Sequence, residues 1–290
     1  MGTIGIALGG GGVAGTAHIG VLSALEEAGI RIDYIAGASS GAMVAALYSY
    51  GYTSSELMEF IPAFSNKYLD YDYINFISRF VNFGSKIKGF IKGERIRAFI
   101  AGKTGHAQMT DLKLPVCITA TDLRHAKQVL FVSRPLKYDC EDVDIIPEIG
   151  VADAVRASLS IPVLFKPFVF GDRVLIDGGL MDNCPVAAVR ALGAEQVIAV
   201  DLVCPDPVDM PFDSLRSIIA RTVTINLAIK AKHNTMQANI VLKPEVGSVG
   251  VFDFSKLGNC VEKKGMNIPG AGSIRSKRRW KRTRWGYCDV

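Results

Sequence analysis

The sequence predicts a three-layer α/β/α sandwich with a mainly parallel central sheet. Strand-length apolar runs alternate with helix-period patterns along most of the chain. The first two of those runs end in glycines that lead straight into helical segments. The 290 residues, 49% of them apolar, suffice for one large core rather than two small ones. In chain order, Ile4 to Leu8 reads as a strand closed by Gly9-Gly10-Gly11-Gly12, and Ala17 to Ala28 follows as a helix. Tyr34 to Gly37 is a second strand and Ser40 to Tyr50 the helix after it, with Gly29 and Gly51 as the stops of the two helices. Further helices are expected over Ser54 to Phe64, Arg95 to Ala101, Val151 to Ser158, Val186 to Ala191 and Ser214 to Lys232. Further strands are expected over Val116 to Ala120, Val129 to Val132, Val174 to Ile176, Val197 to Asp201 and Ile240 to Leu242.

Composition narrows the classes. The longest apolar stretches are strand-length and interrupted by charge, which argues against a transmembrane helix. The N-terminus runs directly into Ile4-Gly5-Ile6 without a basic segment or an apolar leader, so the expected location is the cytoplasm, with peripheral membrane contact. Six cysteines are scattered without a Cys-x-x-Cys pair, which speaks against a zinc site and against a disulfide framework. The net charge of +5 is concentrated in Lys277, Arg278, Arg279, Lys281, Arg282 and Arg284, so the body of the chain is close to neutral and a nucleic-acid partner is not expected.

The glycine run and the segment Gly37-Ala38-Ser39-Ser40-Gly41 together outline a serine hydrolase. A glycine loop before a helix leaves backbone N–H groups bare for an oxyanion, and Gly10, Gly11 and Gly12 are the candidate donors. Gly-x-Ser-x-Gly between a strand and a helix is the nucleophile-elbow pattern. Ser39 stands at its tip, and the flanking glycines let strand and helix pass closely.

Two bases are open. His233, ending the long helix, would complete a Ser39-Asp177-His233 triad in the chain order of α/β-hydrolases, although the strands before the elbow are too few for that fold. Among the other histidines, His18 lies one turn past the glycine loop, where it can support the loop, and His106 and His125 lie in polar loop sequence. The alternative base is Asp177, which ends the apolar run Val174-Leu175-Ile176 and precedes Gly178-Gly179, at the edge where a parallel sheet keeps its site. A carboxylate partly desolvated beside a serine gains proton affinity. A non-catalytic nucleotide- or lipid-binding module is the remaining reading, although no Lys-Ser/Thr follows the glycines as a phosphate-binding loop requires.

Gly9 to Gly12, Ser39 and Asp177, with Ala120-Thr121-Asp122-Leu123 and the run from Arg156-Ala157-Ser158 to Ile161-Pro162, make the chain resemble the patatin-like phospholipases, particularly small bacterial members. The resemblance runs from about residue 4 to about residue 254. It implies a Ser–Asp dyad without histidine, with Ser39 as nucleophile, Asp177 as base and the Gly10 to Gly12 amides as oxyanion hole. It also implies hydrolysis of phospholipids, lysophospholipids or related acyl lipids through an acyl-enzyme, with no metal and no cofactor.

The chain departs from the family in two places. Ala14 stands where the family usually has Arg or Lys before the last glycine of the loop. A cation there would favour an anionic head group. From Lys263 the apolar periodicity stops and a basic Trp/Arg-rich tail follows, so residues 1–262 are read as the hydrolase domain and 263–290 as a tail outside it, non-native or a membrane anchor. Within the domain, residues 53–110 read as a helical aromatic-rich cover. Ten of the chain's twenty-three Phe and Tyr residues fall between Phe60 and Phe99, a stretch that ends in Lys86, Lys88, Lys92, Arg95 and Arg97 as a patch for an anionic membrane.

Overall fold

β1 (Ile4–Leu8), β2 (Tyr34–Gly37), β3 (Val116–Asp122), β4 (Lys127–Val132), β5 (Val143–Ile146), β6 (Phe168–Phe170), β7 (Arg173–Asp177), β8 (Gln196–Val200) and β9 (Ile240–Leu242) form one sheet. The computed structural model describes residues 2–60, 70, 91–138, 140–203, 207 and 212–244. The helices are α1 (Ala17–Glu27), α2 (Ser40–Tyr50), α3 (Ser54–Phe60), α4 (Glu94–Lys103), α5 (Val151–Ser158), α6 (Gly179–Asp182), α7 (Val186–Leu192) and α8 (Leu215–Thr235). The strand order is β5-β4-β3-β2-β1-β8-β9, with β7 also on β3 and β6 on β7.

The layers follow from the period-two alternation of the strands. In β1, Ile6 and Leu8 point into a core shared with Leu22 of α1, Ala45 of α2, Ile100 of α4 and Val155 of α5. Ala7 between them points the other way, into a smaller core with Val186 and Val189 of α7 and Ala231 of α8. β8 repeats the division, Ile198 and Val200 facing the first core and Val197 and Ala199 the second. A sheet buried on both faces by helices is what near-continuous apolar strands require.

The pairs β1–β2, β1–β8, β2–β3, β8–β9 and β4–β5 are parallel, and β3–β4, β3–β7 and β6–β7 are antiparallel. The sheet is therefore mainly parallel, as expected, but β7 corrects one detail. Asp177 does not end a parallel strand. β2 and β7 share one edge of β3 from opposite directions: Gly37 pairs with Ile118, and Asp177 with Ala120. Two residues separate these pairings, about 7 Å along the strand. The end of β2 and the end of β7 thus meet head to head, which brings together residues far apart in the chain.

Within the expected cover, the described aromatics pack on one another. Phe60 meets Tyr52 edge-on at 5.0 Å and Phe99 at 6.1 Å, and the Lys103 ammonium lies 4.1 Å above the Phe60 ring. Phe64, Tyr68, Tyr71, Tyr73, Phe76, Phe80, Phe83, Phe90, Lys86 and Lys88 lie outside the described residues, as does the tail from Lys263. Among the described residues no helix is long and apolar enough to cross a membrane.

Candidate active site

Ser39 occupies the turn between β2 and α2 with φ 52° and ψ −120°, in the region that disfavours residues with a side chain. Holding a serine there costs about 1–3 kcal/mol, and the surrounding contacts must enforce it. They are visible on both sides. A Cβ on Gly37 would lie 2.4 Å from the Gly41 carbonyl oxygen, and a Cβ on Gly41 would lie 2.2 Å from that of Leu8. The two glycines of the elbow are thus demanded by the close passage of strand and helix. The Ala38 N–H donates to Leu8 O at 3.1 Å, and the Ser39 N–H donates to Ser158 Oγ of α5 at 2.8 Å. Ser158 is fully buried, and α5 is held in turn by Arg156, which donates to Ser160 Oγ and to the carbonyls of Lys92 and Lys166.

Asp177 lies across from Ser39, 2% exposed. Burial pushes its pKa up to about 6, against the hydrogen bond of the Ser39 hydroxyl and that of the Gly179 N–H, which pull it down. The Gly179 N–H reaches Oδ1 at 2.8 Å. Gly178 is fixed by space, since a Cβ there would lie 2.2 Å from Thr119 O. Thr121 Oγ1 donates to the Asp177 carbonyl at 3.0 Å, so β3 sets the end of β7 through side chain as well as backbone.

The glycine loop runs beside the elbow. A Cβ on Gly10 would come 3.1 Å from Ser39 Cβ, which places the loop directly against the serine. Of the three amides expected to serve as donors, Gly10's N–H is already given to Asn183 O at 3.1 Å and Gly11's to Ser40 Oγ at 3.1 Å. Gly12, at φ 57°, is partly exposed, and its N–H has no acceptor among the described residues. Behind the loop, His18 Nε2 donates to Gly9 O at 2.7 Å. Burial depresses the His18 pKa to about 4, so the imidazole is neutral and acts as a strut. Ala14 points into the main core at 2% exposure.

The remaining candidates stand apart. His233 is exposed near the end of α8, with no hydrogen bond to Ser39 or Asp177 among the described residues; the residue of that helix that covers the Asp177 turn is Leu227. His106 is exposed in a turn, and His125 Nδ1 is bonded to Asp122 Oδ2 at 2.7 Å. Among the described residues no three His, Cys, Asp or Glu side chains gather to hold a metal ion. Three supporting residues were not singled out for these contacts in the sequence: Ser158 and Ser40, which take the N–H groups of Ser39 and Gly11, and Asn183, which takes that of Gly10. Ser40 lay inside the elbow motif and Ser158 inside a run of the family resemblance, whereas Asn183 carried no signal.

The chain matches the family model described as patatin-like phospholipase over residues 6–190, a span that contains the glycine loop, the elbow, Asp177 and Asn183. It belongs to the patatin-like phospholipase family. Two groups of relatives agree with that membership. An uncharacterised NTE family protein of Mycobacterium tuberculosis (strain ATCC 25618 / H37Rv) is 31% identical over 199 residues, covering 69% of this chain and 49% of the relative. A protein named lysophospholipase NTE1 from Candida glabrata is 31% identical over 201 residues, covering 69% of this chain and 10% of the relative. The patatin-like chain therefore spans about half the length of the mycobacterial relatives and about a tenth of the yeast one. Among solved structures, VipD from Legionella pneumophila superposes with a TM-score of 0.52 at 14% identity, over 81% of this chain and 55% of that one. That likeness extends to the fold.

Proposed function

We propose that this protein is a lipid acyl hydrolase that cleaves ester bonds through a Ser39–Asp177 dyad and an acyl-enzyme. The observation that carries the reading is the buried Asp177 carboxylate, its pKa raised to about 6, hydrogen-bonded to the hydroxyl of Ser39 on the strained backbone of the elbow. In the first step Ser39 Oγ attacks the acyl carbon while its proton passes to Asp177. A carboxylate with that pKa is ionised at neutral pH yet is a stronger base than one in water. The Gly179 N–H steadies Oδ1 and leaves the other oxygen for the serine proton.

Charge then develops on the former carbonyl oxygen. The Gly12 N–H and the N-terminus of α2 meet it, joined by the Gly11 N–H when Ser40 Oγ rotates away. The expected hole of Gly10, Gly11 and Gly12 is thereby narrowed, because the Gly10 amide is occupied in anchoring the loop to Asn183. Collapse expels the alcohol, which takes the proton back from Asp177; water then adds to the acyl-enzyme by the same route and releases the fatty acid.

The substrate class, phospholipids or lysophospholipids, is supported by the family and by the relatives named lysophospholipase. Contact with an anionic lipid surface is supported by α8. Leu215, Ile218, Ile225 and Ile229 lie exposed on it, and the segment Leu215–Thr235 carries four Lys and Arg residues and no Asp or Glu. Through Leu227 the same helix lies over the Asp177 turn, so a bilayer bound there would lie near the site.

Hydrolysis of a short-chain p-nitrophenyl ester by wild type, Ser39→Ala, Asp177→Ala and His233→Ala tests the reading, with folding checked for each. Activity lost in the first two variants and kept in the third is the expected result. A fully active Asp177→Ala protein would sink the dyad. Sedimentation with phosphatidylserine and phosphatidylcholine vesicles tests the surface; binding to the former, abolished in Ile225→Glu/Ile229→Glu, is expected.

A further inference from the structure

Asn183 follows α6 and is fully buried, yet neither Nδ2 nor Oδ1 of its side chain has a hydrogen-bond partner among the described residues. An amide sealed away with both ends unpaired is unfavourable, and a leucine of nearly the same shape would avoid the cost. Stability alone does not account for this residue.

Its position does. The Asn183 carbonyl accepts the Gly10 N–H at 3.1 Å. Its side-chain Oδ1 would lie 2.5 Å from a Cβ on Gly10 and 2.5 Å from a Cβ on Gly179, so it is wedged between the α-carbons of both. Such Cα–H groups are weak donors to an amide oxygen. Each glycine reaches one reacting group. Gly10 lies against Ser39 Cβ, and the Gly179 N–H holds Asp177 Oδ1 at 2.8 Å. Asn183 therefore touches the turn that carries the oxyanion amides and the turn that carries the base.

We propose that Asn183 is a positioning residue, whose side-chain amide sets the spacing between the Gly10 loop with Ser39 on one side and the Asp177–Gly179 turn on the other. This rests on the Ser39–Asp177 reading and adds a third residue to it. The amide is small and flat enough to lie between two glycine backbones, and it is neutral, so it leaves the proton affinity of Asp177 to burial.

Two shape-conserving variants test it. Asn183→Leu removes the polar atoms, and the expected result is a folded protein with kcat lowered about ten- to a hundredfold and KM within about twofold, since misplacement of reacting groups acts on the chemical step. Asn183→Asp places a second carboxylate beside the base. The expected result is an acid limb of kcat/KM shifted to higher pH, because a like charge disfavours the ionised form, or a folded protein without activity. A structural role confined to packing would lower the melting temperature and leave kcat of the folded Asn183→Leu protein at the wild-type value. Folded variants with the wild-type rate and the wild-type acid limb would overturn the proposal. Should Asn183→Leu not fold, Asn183→Ala decides by the same reading, a lowered kcat at a nearly unchanged KM. The underlying reading fails separately: it falls if Ser39→Ala retains full activity, whereas a dead Ser39→Ala beside unaltered Asn183 variants sinks only this inference.

Discussion

Asp177 and Asp182 close the two ends of one short turn, and burial pushes both of their pKa values up to about 6. What they face differs. Asp177 faces the Ser39 hydroxyl and the Gly179 N–H. Asp182 is tied on both oxygens by amides, Gln128 Nε2 at 3.3 Å and Asn234 Nδ2, with further help from the Cys184 N–H and the charge of Lys230. Those amides have no proton to give up in a reaction, and through Asn234 they pin the end of α8 to α6. A raised carboxylate pKa thus marks burial, and the chemistry belongs to whichever carboxylate has a reactive neighbour.

The comparison breaks most sharply on activity. Ser39→Ala and Asp177→Asn are each expected to lower kcat for ester hydrolysis by about a thousandfold or more, while Asp182→Asn stays within about threefold, as steady-state kinetics would read. Equal losses at the two aspartates would dissolve the distinction.

Stability is the next largest effect. A carboxyl whose folded pKa stands above its unfolded value penalises the fold when ionised; the penalty is complete above about pH 6 for Asp177 and vanishes below about pH 4. A shift of about two units corresponds to about 3 kcal/mol. Asp177→Asn should therefore be more stable than wild type by up to that amount at pH 8 in urea unfolding, with the gain gone at pH 4. Asp182→Asn should gain less, because an amide cannot accept from both Gln128 and Asn234 with the same two atoms.

The pH–rate profile sharpens the assignment further. With Asp177 as base, kcat/KM should fall on the acid side with a midpoint near 6, since protonation removes the base. Asp182→Asn should leave that midpoint in place. The smallest effect is expected at His233→Ala, whose rate should match wild type within about twofold; the exposed imidazole has no hydrogen bond to Ser39 or Asp177 among the described residues.

Local chemistry explains which parts were legible beforehand. β1, β2, α2, α5 and β9 were read with their observed limits, because glycines or polar residues punctuate an apolar period at their ends. The turns that carry Ser39 and Asp177 were legible for the same reason, each residue being framed by glycines that the backbone requires. The direction of β7 was not, since a run such as Val174-Leu175-Ile176 reads the same whichever way it pairs. The three residues of β6 and the half-buried β5 carried too little pattern to register. The supports of the site were silent because their partners are remote. Ser158 meets Ser39 across 119 residues, and Asn183 takes the Gly10 amide that the sequence alone offered to a substrate.

Trapping the acyl-enzyme tests the central claim most directly. Rapid quenching of the p-nitrophenyl ester reaction followed by peptide mass analysis should find the acyl group on Ser39. The group should form at a rate that rises with a midpoint near pH 6, be undiminished in His233→Ala and Asp182→Asn, and fail to accumulate in Asp177→Asn. An acyl group on any other residue, or one that reaches Ser39 at the wild-type rate in Asp177→Asn, would contradict the account.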